Sequence, residues 1–342
     1  MILSIVTLLE DKIMKKIISM LVLVLVIIGF AFAMGKVEQA QEIESDSIKI
    51  GISKLLSHPA LDSIEKGITD YLSSTDIKYS VHVENANGDI STCASIAQVF
   101  KNEKIDIAVG IATPTAQAIQ TLMSDTKQVY SSVTDPESAG LLGLDNVCGV
   151  SDMVPVRTHL ELLKSFIKFD RLGMVYTSSE ANGLTLKNTV EGVCKELGIE
   201  FVGVAVNNSS EVRMAALSII DRVDLMYVAT DNTVVSAITA LSKVCYDNKK
   251  PLFSADTTSS FDTEVLIAGG FDYYKSGVLT GQLIERVING ESPKEIGVQY
   301  LNADSLELYL NLDIAAKLGL DFPTSLVENA KYVVKNGELL KN

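Results

Sequence analysis

The chain has 342 residues, of which 47% are hydrophobic and 21% charged, and its formal net charge at pH 7 is −14. A chain of this length is long for a single core and suits two lobes. An acidic chain without a basic cluster is a poor partner for nucleic acid or anionic lipid, so the sequence disfavours both as partners.

The N-terminus has the pattern of a secretory signal peptide. Basic residues precede an almost wholly apolar run, Ile17–Phe30, and a small-residue cleavage site ending at Ala33 follows it. The run is shorter than the ~20 residues of a membrane-spanning helix. We predict a signal peptide over residues 1–33, with Met14 as an alternative start. The protein is then exported to the periplasm or cell surface, with an uncleaved membrane tether as the alternative.

From residue 48 onward, short apolar strands alternate with amphipathic helices. Strands are predicted at Ile48–Ser53, Lys78–Glu84, Asp106–Ile111, Gln128–Val133, Arg171–Tyr176, Ile199–Val206, Asp224–Ala229 and Pro251–Ala255. Helices are predicted at Pro59–Ser73, Ile90–Lys101, Pro114–Ser124, Glu180–Leu197, Ser210–Asp221 and Asn232–Asp247. Alternating units of this length indicate parallel sheets covered by helices.

Four such strands precede a break near Gly149–Pro155 and four follow it. We therefore predict an α/β fold with two doubly wound, Rossmann-like lobes joined by a hinge. A ligand crevice is expected where the carboxyl ends of the strands of the two lobes face each other.

Polar residues cluster where the predicted strands end and the helices begin. The clusters lie at Ser53 with Ser57–Pro59, Ala112–Thr115, Ser131–Pro136, Tyr176–Asn182, Thr230–Asn232 and Ser254–Thr257. Any one of them is more simply explained as a helix N-cap. Six at the same edge of two sheets indicate a binding site. Helix N-termini suit a carboxylate and acidic side chains suit an ammonium group, which fits an α-amino acid or a similar zwitterion.

Enzyme motifs are missing from the sequence. The three histidines, His58, His82 and His159, are far apart and form no metal-binding spacing, and there is no GxSxG, P-loop or GxGxxG motif. Asp231 and Asp256 could in principle serve acid–base chemistry, but a cap and a ligand contact explain them more simply. We predict no catalysis, no metal and no cofactor.

The four cysteines are widely spaced and form no CxxC motif. They are Cys93, Cys148, Cys194 and Cys245. We expect free, buried thiols that pack as small hydrophobic groups, with a disulfide formed after export as the alternative.

Several motifs occur in a fixed order along residues 48–334. They are Gly51–Ser53 with His58–Asp62, Asn85–Asp89, Ala112–Gln117, Ser132–Pro136 with Ala139–Leu141, Ser179–Asn182, Asp231–Asn232, Asp272–Tyr274, and a closing helix running from Asn311 to Pro323. In this order they resemble the motifs of a family of bacterial ABC-transporter substrate-binding proteins, which includes tryptophan- and other aromatic-amino-acid-binding members.

The resemblance implies a type I periplasmic-binding-protein fold with three chain crossings between the lobes. Lobe 1 is expected to comprise residues 47–153 and about 255–292, and lobe 2 residues 154–254 and about 293–342. The implied ligand contacts are Ser53, His58, Thr113, Ser132, Thr134, Asp135, Ser179, Glu180, Asn182, Thr230, Asp231, Asn232 and Asp256. Thr113 is expected to hold a carboxylate, and Asp231 or Asp256 an amino group.

One segment departs from the family pattern. Ser259–Leu266 stands where the family has a Gly-Ala segment, and this change could reshape one wall of the pocket. The chain also has no Trp, the largest platform for stacking a sugar ring, which mildly disfavours a sugar ligand.

The predicted function is the extracytoplasmic solute-binding component of an ABC importer. Its partners would be a small polar ligand, most simply an amino acid with an aromatic side chain, and a membrane permease, and the protein would act as a monomer. The alternatives are a ligand-sensing ectodomain of the same fold, a sugar- or nucleoside-binding protein, and a hydrolase on an α/β scaffold. A receptor would need a membrane span after the domain, and a repressor an N-terminal DNA-binding segment; neither pattern is expected here.

Overall fold

A computed structural model describes residues 47–302 and 306–342 of the chain. The predicted signal peptide over residues 1–33, the alternative start at Met14 and the cleavage site at Ala33 lie outside these ranges. Ile48 and Lys78–Ser80 belong to an N-terminal unit. Residues 49–77, 81–302 and 306–342 form one compact unit, which holds the site described below.

The described residues form fourteen strands and twelve α-helices. The strands are β1 (Ile48–Lys54), β2 (Tyr79–Asn85), β3 (Ile107–Ile111), β4 (Lys127–Ser131), β5 (Val147–Ser151), β6 (Arg171–Thr177), β7 (Glu200–Val206), β8 (Leu225–Val228), β9 (Leu252–Ser254), β10 (Ile267–Gly270), β11 (Val298–Tyr300), β12 (Glu307–Asn311), β13 (Tyr332–Lys335) and β14 (Glu338–Lys341). The helices are α1 (Pro59–Ser73), α2 (Ile90–Glu103), α3 (Thr113–Leu122), α4 (Val156–Phe166), α5 (Ala181–Leu197), α6 (Val212–Ile219), α7 (Asn232–Ser236), α8 (Ile238–Asp247), α9 (Tyr273–Ile288), α10 (Pro293–Ile296), α11 (Leu312–Leu318) and α12 (Thr324–Asn329).

The strands form two sheets. The first has the order β11-β5-β4-β3-β1-β2, and the second β14-β13-β12-β10-β9-β8-β6-β7. Neighbours pair in parallel through the centre of each sheet, whereas β12 runs antiparallel to β10 and β14 antiparallel to β13. The predicted α/β class with two doubly wound lobes is confirmed.

Both faces of the second sheet are buried. Along β8, Leu225 and Tyr227 pack into one apolar cluster, while Met226 and Val228 pack into another. Successive side chains of a strand point to opposite faces, so the two clusters lie on the two sides of the sheet. This explains why its parallel strands have continuous apolar runs instead of an apolar–polar alternation.

Two predicted helices are shorter than expected. The stretch 232–247 is divided at Ala237, whose ψ of 17° lies outside the helical range. The β-branched run Thr233–Val235 before it is a poor helix former. The stretch 210–221 is helical only over α6, with single 3-10 turns at either end.

Strand membership differs from the predicted lobe boundaries at two strands. Strand β10 pairs with β9 in the second sheet, although residues 255–292 were assigned to lobe 1. Strand β11 pairs with β5 in the first sheet, although residues 293–342 were assigned to lobe 2. Both strands are four residues or shorter, so their sequences are too short to assign them to one sheet. The lobe boundaries themselves stay a prediction.

Helices α1 and α9 approach each other through glycine. A Cβ atom on Gly277 would lie 2.2 Å from the carbonyl oxygen of Ile64, and one on Gly67 would lie 2.3 Å from that of Tyr274. No side chain fits in either position. The contact matters for the site because α1 follows directly on His58 and α9 begins at Tyr273.

The four cysteines are free and buried, as expected. Burial raises the pKa of Cys93, Cys148 and Cys194 to about 12, so these thiols are inert at neutral pH. Within residues 47–302 and 306–342, no helix combines the length and apolar character needed to cross a bilayer.

Candidate ligand-binding site

A small polar cavity, with about 10 Å³ of space open to a water molecule, lies at the carboxyl ends of the strands. Its lining comes from segments that follow strands of both sheets: His58, Ala60, Leu61, Ser132, Asp152, Thr230, Asn232, Val235, Asp256 and Tyr273. That is room for about one water molecule, so the cleft has to open to admit an amino acid. A cavity at this edge of the sheets is what the alternating strand–helix pattern predicts.

The backbone is strained where two first-sheet strands end. Ala112 follows β3 with a φ of 79°, and Ser132 follows β4 with a φ of 54°. Non-glycine residues rarely adopt such angles, and strain of this kind concentrates at binding and active sites. At Ser132 the strained backbone places the residue in the wall of the cavity.

Many buried polar atoms around the cleft have no hydrogen-bond partner among the described residues. Of the predicted site residues, this holds for Ser53 Oγ, both ring nitrogens of His58, Thr113 Oγ1, Ser132 Oγ, Asn182 Oδ1 and Thr230 Oγ1. Nearly all buried polar groups in folded proteins are paired, because an unpaired one costs about 1–3 kcal/mol. Four of these seven atoms belong to residues that line the cavity, namely His58, Ser132 and Thr230, and this indicates a surface shaped for a polar molecule.

His58 occupies the N-cap position of α1 without capping it. Its side chain accepts no hydrogen bond from the first turn, and its exposed fraction is 8%. Burial lowers the pKa of His58, while the nearby carboxylates of Asp256 and Asp62 oppose that shift. The imidazole is therefore neutral in the ligand-free protein, with one ring N–H to donate.

Asp152 was not among the predicted site residues, yet it lines the cavity. Its carboxylate accepts hydrogen bonds from Thr134 Oγ1 at 3.1 Å and from Tyr273 OH at 3.3 Å. Burial raises the pKa of Asp152 to about 6 against the effect of these bonds, and the charge of Asp256 raises it further. The predicted contact Thr134 thus serves to orient Asp152.

Asp256 is held by the segment that departs from the family pattern. Its Oδ1 accepts from the backbone N–H of Ser259 at 3.0 Å, and its carbonyl accepts from Ser260 Oγ at 2.5 Å. Both partners lie in the 3-10 turn Thr258–Ser260. The unusual segment therefore acts on the site by fixing the position of a buried carboxylate.

The carboxylate of Asp231 is hydrogen-bonded differently from that of Asp256. Its carboxylate accepts from the backbone N–H of Thr177 at 2.6 Å, from Thr177 Oγ1 at 2.7 Å and from the N–H of Val234 at 3.2 Å. It does not line the cavity. Burial and the nearby charge of Glu180 raise the pKa of Asp231 to about 7. These bonds tie the end of β6 to the start of α7, which is a positioning task; contact with an amino group stays a prediction.

Glu180 is likewise engaged within the protein. Its two carboxylate oxygens accept from Asn232 Nδ2 at 2.8 Å and from Thr233 Oγ1 at 2.7 Å. Because Asn232 lines the cavity, Glu180 orients a cavity residue.

The remaining predicted residues lie farther out. Asp135 is half-buried and accepts from the N–H of Glu137 at 3.1 Å. Ser179 is exposed and lines a separate groove with Ile90 and Pro114. The structure thus brings five of the thirteen into the cavity wall: His58, Ser132, Thr230, Asn232 and Asp256.

The sequence reasoning missed five lining residues. Asp152 follows a strand end and Tyr273 lies in the motif Asp272–Tyr274, so both carried a signal that could have been used. Ala60, Leu61 and Val235 are apolar helix residues, and nothing in the sequence separates them from core residues.

The two sides of the cleft touch outside the cavity. The hydroxyl oxygens of Ser138, after β4, and Thr185, in α5, lie 3.0 Å apart. The hydrogen bond connects a loop of the first sheet to a helix packed on the second, as a closed cleft requires. No group of three His, Cys, Asp or Glu side chains in the described ranges is placed to hold a metal ion.

Comparison with known proteins places these features in context. A family model described as "ABC transporter substrate binding protein" matches residues 49–334. A tyrosine-binding protein from Clostridioides difficile (strain R20291) is 34% identical over 294 residues, which cover 83% of this chain and 84% of that protein. Proteins of this family work outside the cytoplasm and in general bind solutes without transforming them.

Three solved structures are similar. A conserved domain protein from Vibrio cholerae O1 biovar El Tor is 31% identical with a TM-score of 0.80 over 84% of this chain and 100% of that one. An ABC domain from Streptococcus pneumonia in complex with L-tryptophan is 29% identical, with the same TM-score and coverage. A ligand-free, open substrate-binding protein with adhesive properties from Clostridium difficile is 33% identical with a TM-score of 0.63, covering 84% and 99%.

The last two structures match this chain to different degrees. The tryptophan complex has the lower sequence identity but superimposes better than the open, ligand-free protein. In this chain the Ser138–Thr185 contact joins the two sides of the cleft.

Proposed function

Because the chain belongs to the ABC transporter substrate-binding protein family, we propose that it delivers one amino acid with an aromatic side chain to an importer. The protein would be exported, work outside the cytoplasmic membrane, and close its two lobes on the ligand. The closed form would then dock, as a monomer, on a membrane permease. Catalysis has no part in this cycle.

The observation that carries the proposal is the set of unpartnered buried polar groups around one small cavity. Ser132 Oγ, Thr230 Oγ1 and both ring nitrogens of His58 line it and have no protein partner in the described ranges. A ligand that supplies those partners converts a cost of about 1–3 kcal/mol per group into binding energy. The names of the similar tyrosine-binding and tryptophan-bound proteins support an aromatic amino acid as that ligand.

A thermal-shift screen of the purified protein tests the proposal. The panel would contain tyrosine, tryptophan, phenylalanine, aliphatic amino acids, glucose and adenosine. A ligand that binds only the folded state stabilises it by RT ln(1 + [L]/Kd), which is about 2.7 kcal/mol at a hundredfold excess over Kd. We expect the shift with an aromatic amino acid. A shift with glucose or adenosine alone would overturn the proposed ligand class.

A further inference from the structure

We propose that the cavity binds its amino acid in one orientation, with the ligand α-ammonium at Asp152 and Asp256 and the α-carboxylate at the amino end of α1 beside His58. The inference rests on the proposed function and deepens it. It assigns Asp152, which is not among the residues implied by the family motifs, as a specificity-determining contact.

The position of the ligand ammonium group follows from the charges in the cavity wall. The exposed fractions of Asp152 and Asp256 are 4% and 2%, and both residues line the cavity. No Lys or Arg belongs to the lining described above. Two like charges buried together are unfavourable, and a cation between them relieves the repulsion. The only cation that an amino acid with an aromatic side chain supplies is its ammonium group.

Both carboxylates also have acceptor capacity left. Asp152 accepts from two hydroxyl groups, Thr134 and Tyr273, at 3.1 and 3.3 Å, and Asp256 Oδ1 accepts from the N–H of Ser259. An ionised carboxylate can accept about four hydrogen bonds. An ammonium group with its three donors therefore finds free lone pairs on the two residues.

The position of the ligand carboxylate follows from the first turn of α1. This helix has fifteen residues, begins with Pro59, and has Ala60 and Leu61 of its first turn in the cavity wall. The first backbone N–H groups of a helix have no intrahelical partner, and the helix dipole favours an anion there.

A second observation points to the same place. The His58 ring is more than nine-tenths buried and lines the cavity. Neither nitrogen makes a hydrogen bond of ordinary geometry within the described residues, although the Asn232 side chain lies close enough to raise the pKa of His58. Ser132 Oγ, also in the wall, is unpartnered as well. A ligand carboxylate would accept from the imidazole N–H, the hydroxyl group and the helix N-terminus together. Thr113, the residue expected to hold the carboxylate, is not in the cavity wall.

The test pairs two protein variants with two truncated ligands. Tyrosine is compared by calorimetry with tyramine, which lacks the carboxylate, and with 4-hydroxyphenyllactate, which has a hydroxyl group in place of the ammonium. The variants are Asp152→Asn and His58→Gln, with the exposed Asp221→Asn as the matched control. Each comparison is made within one variant, so a general loss of folding affects all ligands alike.

We expect Asp152→Asn to weaken tyrosine binding about tenfold or more while leaving 4-hydroxyphenyllactate binding equal or tighter. His58→Gln should weaken tyrosine about tenfold and leave tyramine unchanged. If Asp152→Asn weakens tyrosine and 4-hydroxyphenyllactate equally, or if either variant binds tyrosine as well as Asp221→Asn does, the orientation is wrong while the amino-acid function stands. If no aromatic amino acid binds the wild-type protein, the proposed function fails and the orientation with it.

Discussion

Asp152 and Asp256 line one cavity although they follow strands of different sheets. Asp152 comes directly after β5 of the first sheet, and Asp256 follows β9 of the second. The charge of Asp256 contributes to raising the pKa of Asp152. A cation bound between them therefore links the two lobes, and this couples ligand binding to closure of the cleft.

Removing an unpartnered hydroxyl group from the cavity wall should lower ligand affinity and raise the stability of the ligand-free protein. Thr230→Val keeps the side-chain shape but removes the buried Oγ1 that has no protein partner. We expect the ligand-free protein to gain about 1 kcal/mol in unfolding free energy and to lose tyrosine affinity. Urea unfolding and calorimetry measure the two effects.

Thr115→Val is the matched control for this substitution. Thr115 Oγ1 donates to the carbonyls of Ile111 and Ala112, both at 2.8 Å, and the residue does not line the cavity. Here we expect a loss of about 1 kcal/mol in stability. Equal stability changes in the two variants would contradict the interpretation of the Thr230 hydroxyl.

Ligand affinity should depend on pH through Asp152. Its pKa is about 6 in the ligand-free protein, with Thr134, Tyr273, Asp256 and His58 as its polar and charged neighbours. An ammonium ligand favours the ionised form, so the complex holds fewer protons than the free protein. The ionised Asp152 therefore increases the affinity for tyrosine above pH 6, and this contribution is lost as the pH falls below 6.

The affinity ratio of wild type to Asp152→Asn isolates this effect from other titrating groups, including His58. We expect the ratio to fall as the pH is lowered from 8 to 5. A ratio that stays constant across this range would rule out Asp152 as the group that titrates on binding.

The glycine contact between α1 and α9 should be intolerant of a methyl group. Gly277→Ala places a Cβ against the carbonyl of Ile64, which forces the helices apart and costs about 1–3 kcal/mol. Because His58 and Tyr273 stand at the starts of these helices, tyrosine affinity should fall as well. Thermal unfolding and calorimetry measure both.

Gly192→Ala serves as the comparison. Gly192 lies inside α5, and no atom is within 4 Å of a Cβ placed there. Alanine in this exposed helical position should stabilise the protein by about 0.5–1 kcal/mol. Similar behaviour of the two variants would show that the α1–α9 spacing is not fixed by glycine.

His159 should make the second lobe sensitive to acid. It is buried, its Nδ1 lies 3.0 Å from Tyr227 OH, and its ring packs on Phe253. Burial lowers its pKa from 6.5 to about 3. Between these values the unfolded chain binds a proton that the folded chain does not, so stability falls as the pH is lowered.

At pH 5 the loss from His159 amounts to about 2 kcal/mol relative to neutral pH. His159→Gln keeps a polar partner for Tyr227 and cannot take up the proton. As the pH falls from 7.5 to 5, the unfolding free energy of the wild type should therefore drop by about this amount more than that of the variant. Urea unfolding at the two pH values measures the difference. Parallel pH curves would show that His159 does not contribute.

The location of the site can be predicted from the sequence, but the role of each residue in it cannot. His58, Ser132, Thr230, Asn232 and Asp256 could be found because parallel strands present their carboxyl ends at one edge. Asp231 and Asp256 have the same local pattern, an acidic residue after a strand. Only the fold shows that Asp231 is bonded to Thr177 whereas Asp256 faces the cavity.

The positions of β10 and β11 could not be predicted for a related reason. Each is a strand too short to be assigned to one sheet from its sequence, and the choice depends on the path of the whole chain between the lobes. The apolar wall formed by Ala60, Leu61 and Val235 is likewise indistinguishable in sequence from core packing.

Calorimetric titration of the purified protein with L-tyrosine and L-tryptophan, repeated on Asp256→Asn, tests the central claim most directly. We predict saturable one-to-one binding of at least one of the two amino acids, and a loss of about tenfold or more in affinity when the buried carboxylate is neutralised. Absence of binding, or binding that Asp256→Asn leaves unchanged, would contradict an amino-acid site in this cavity.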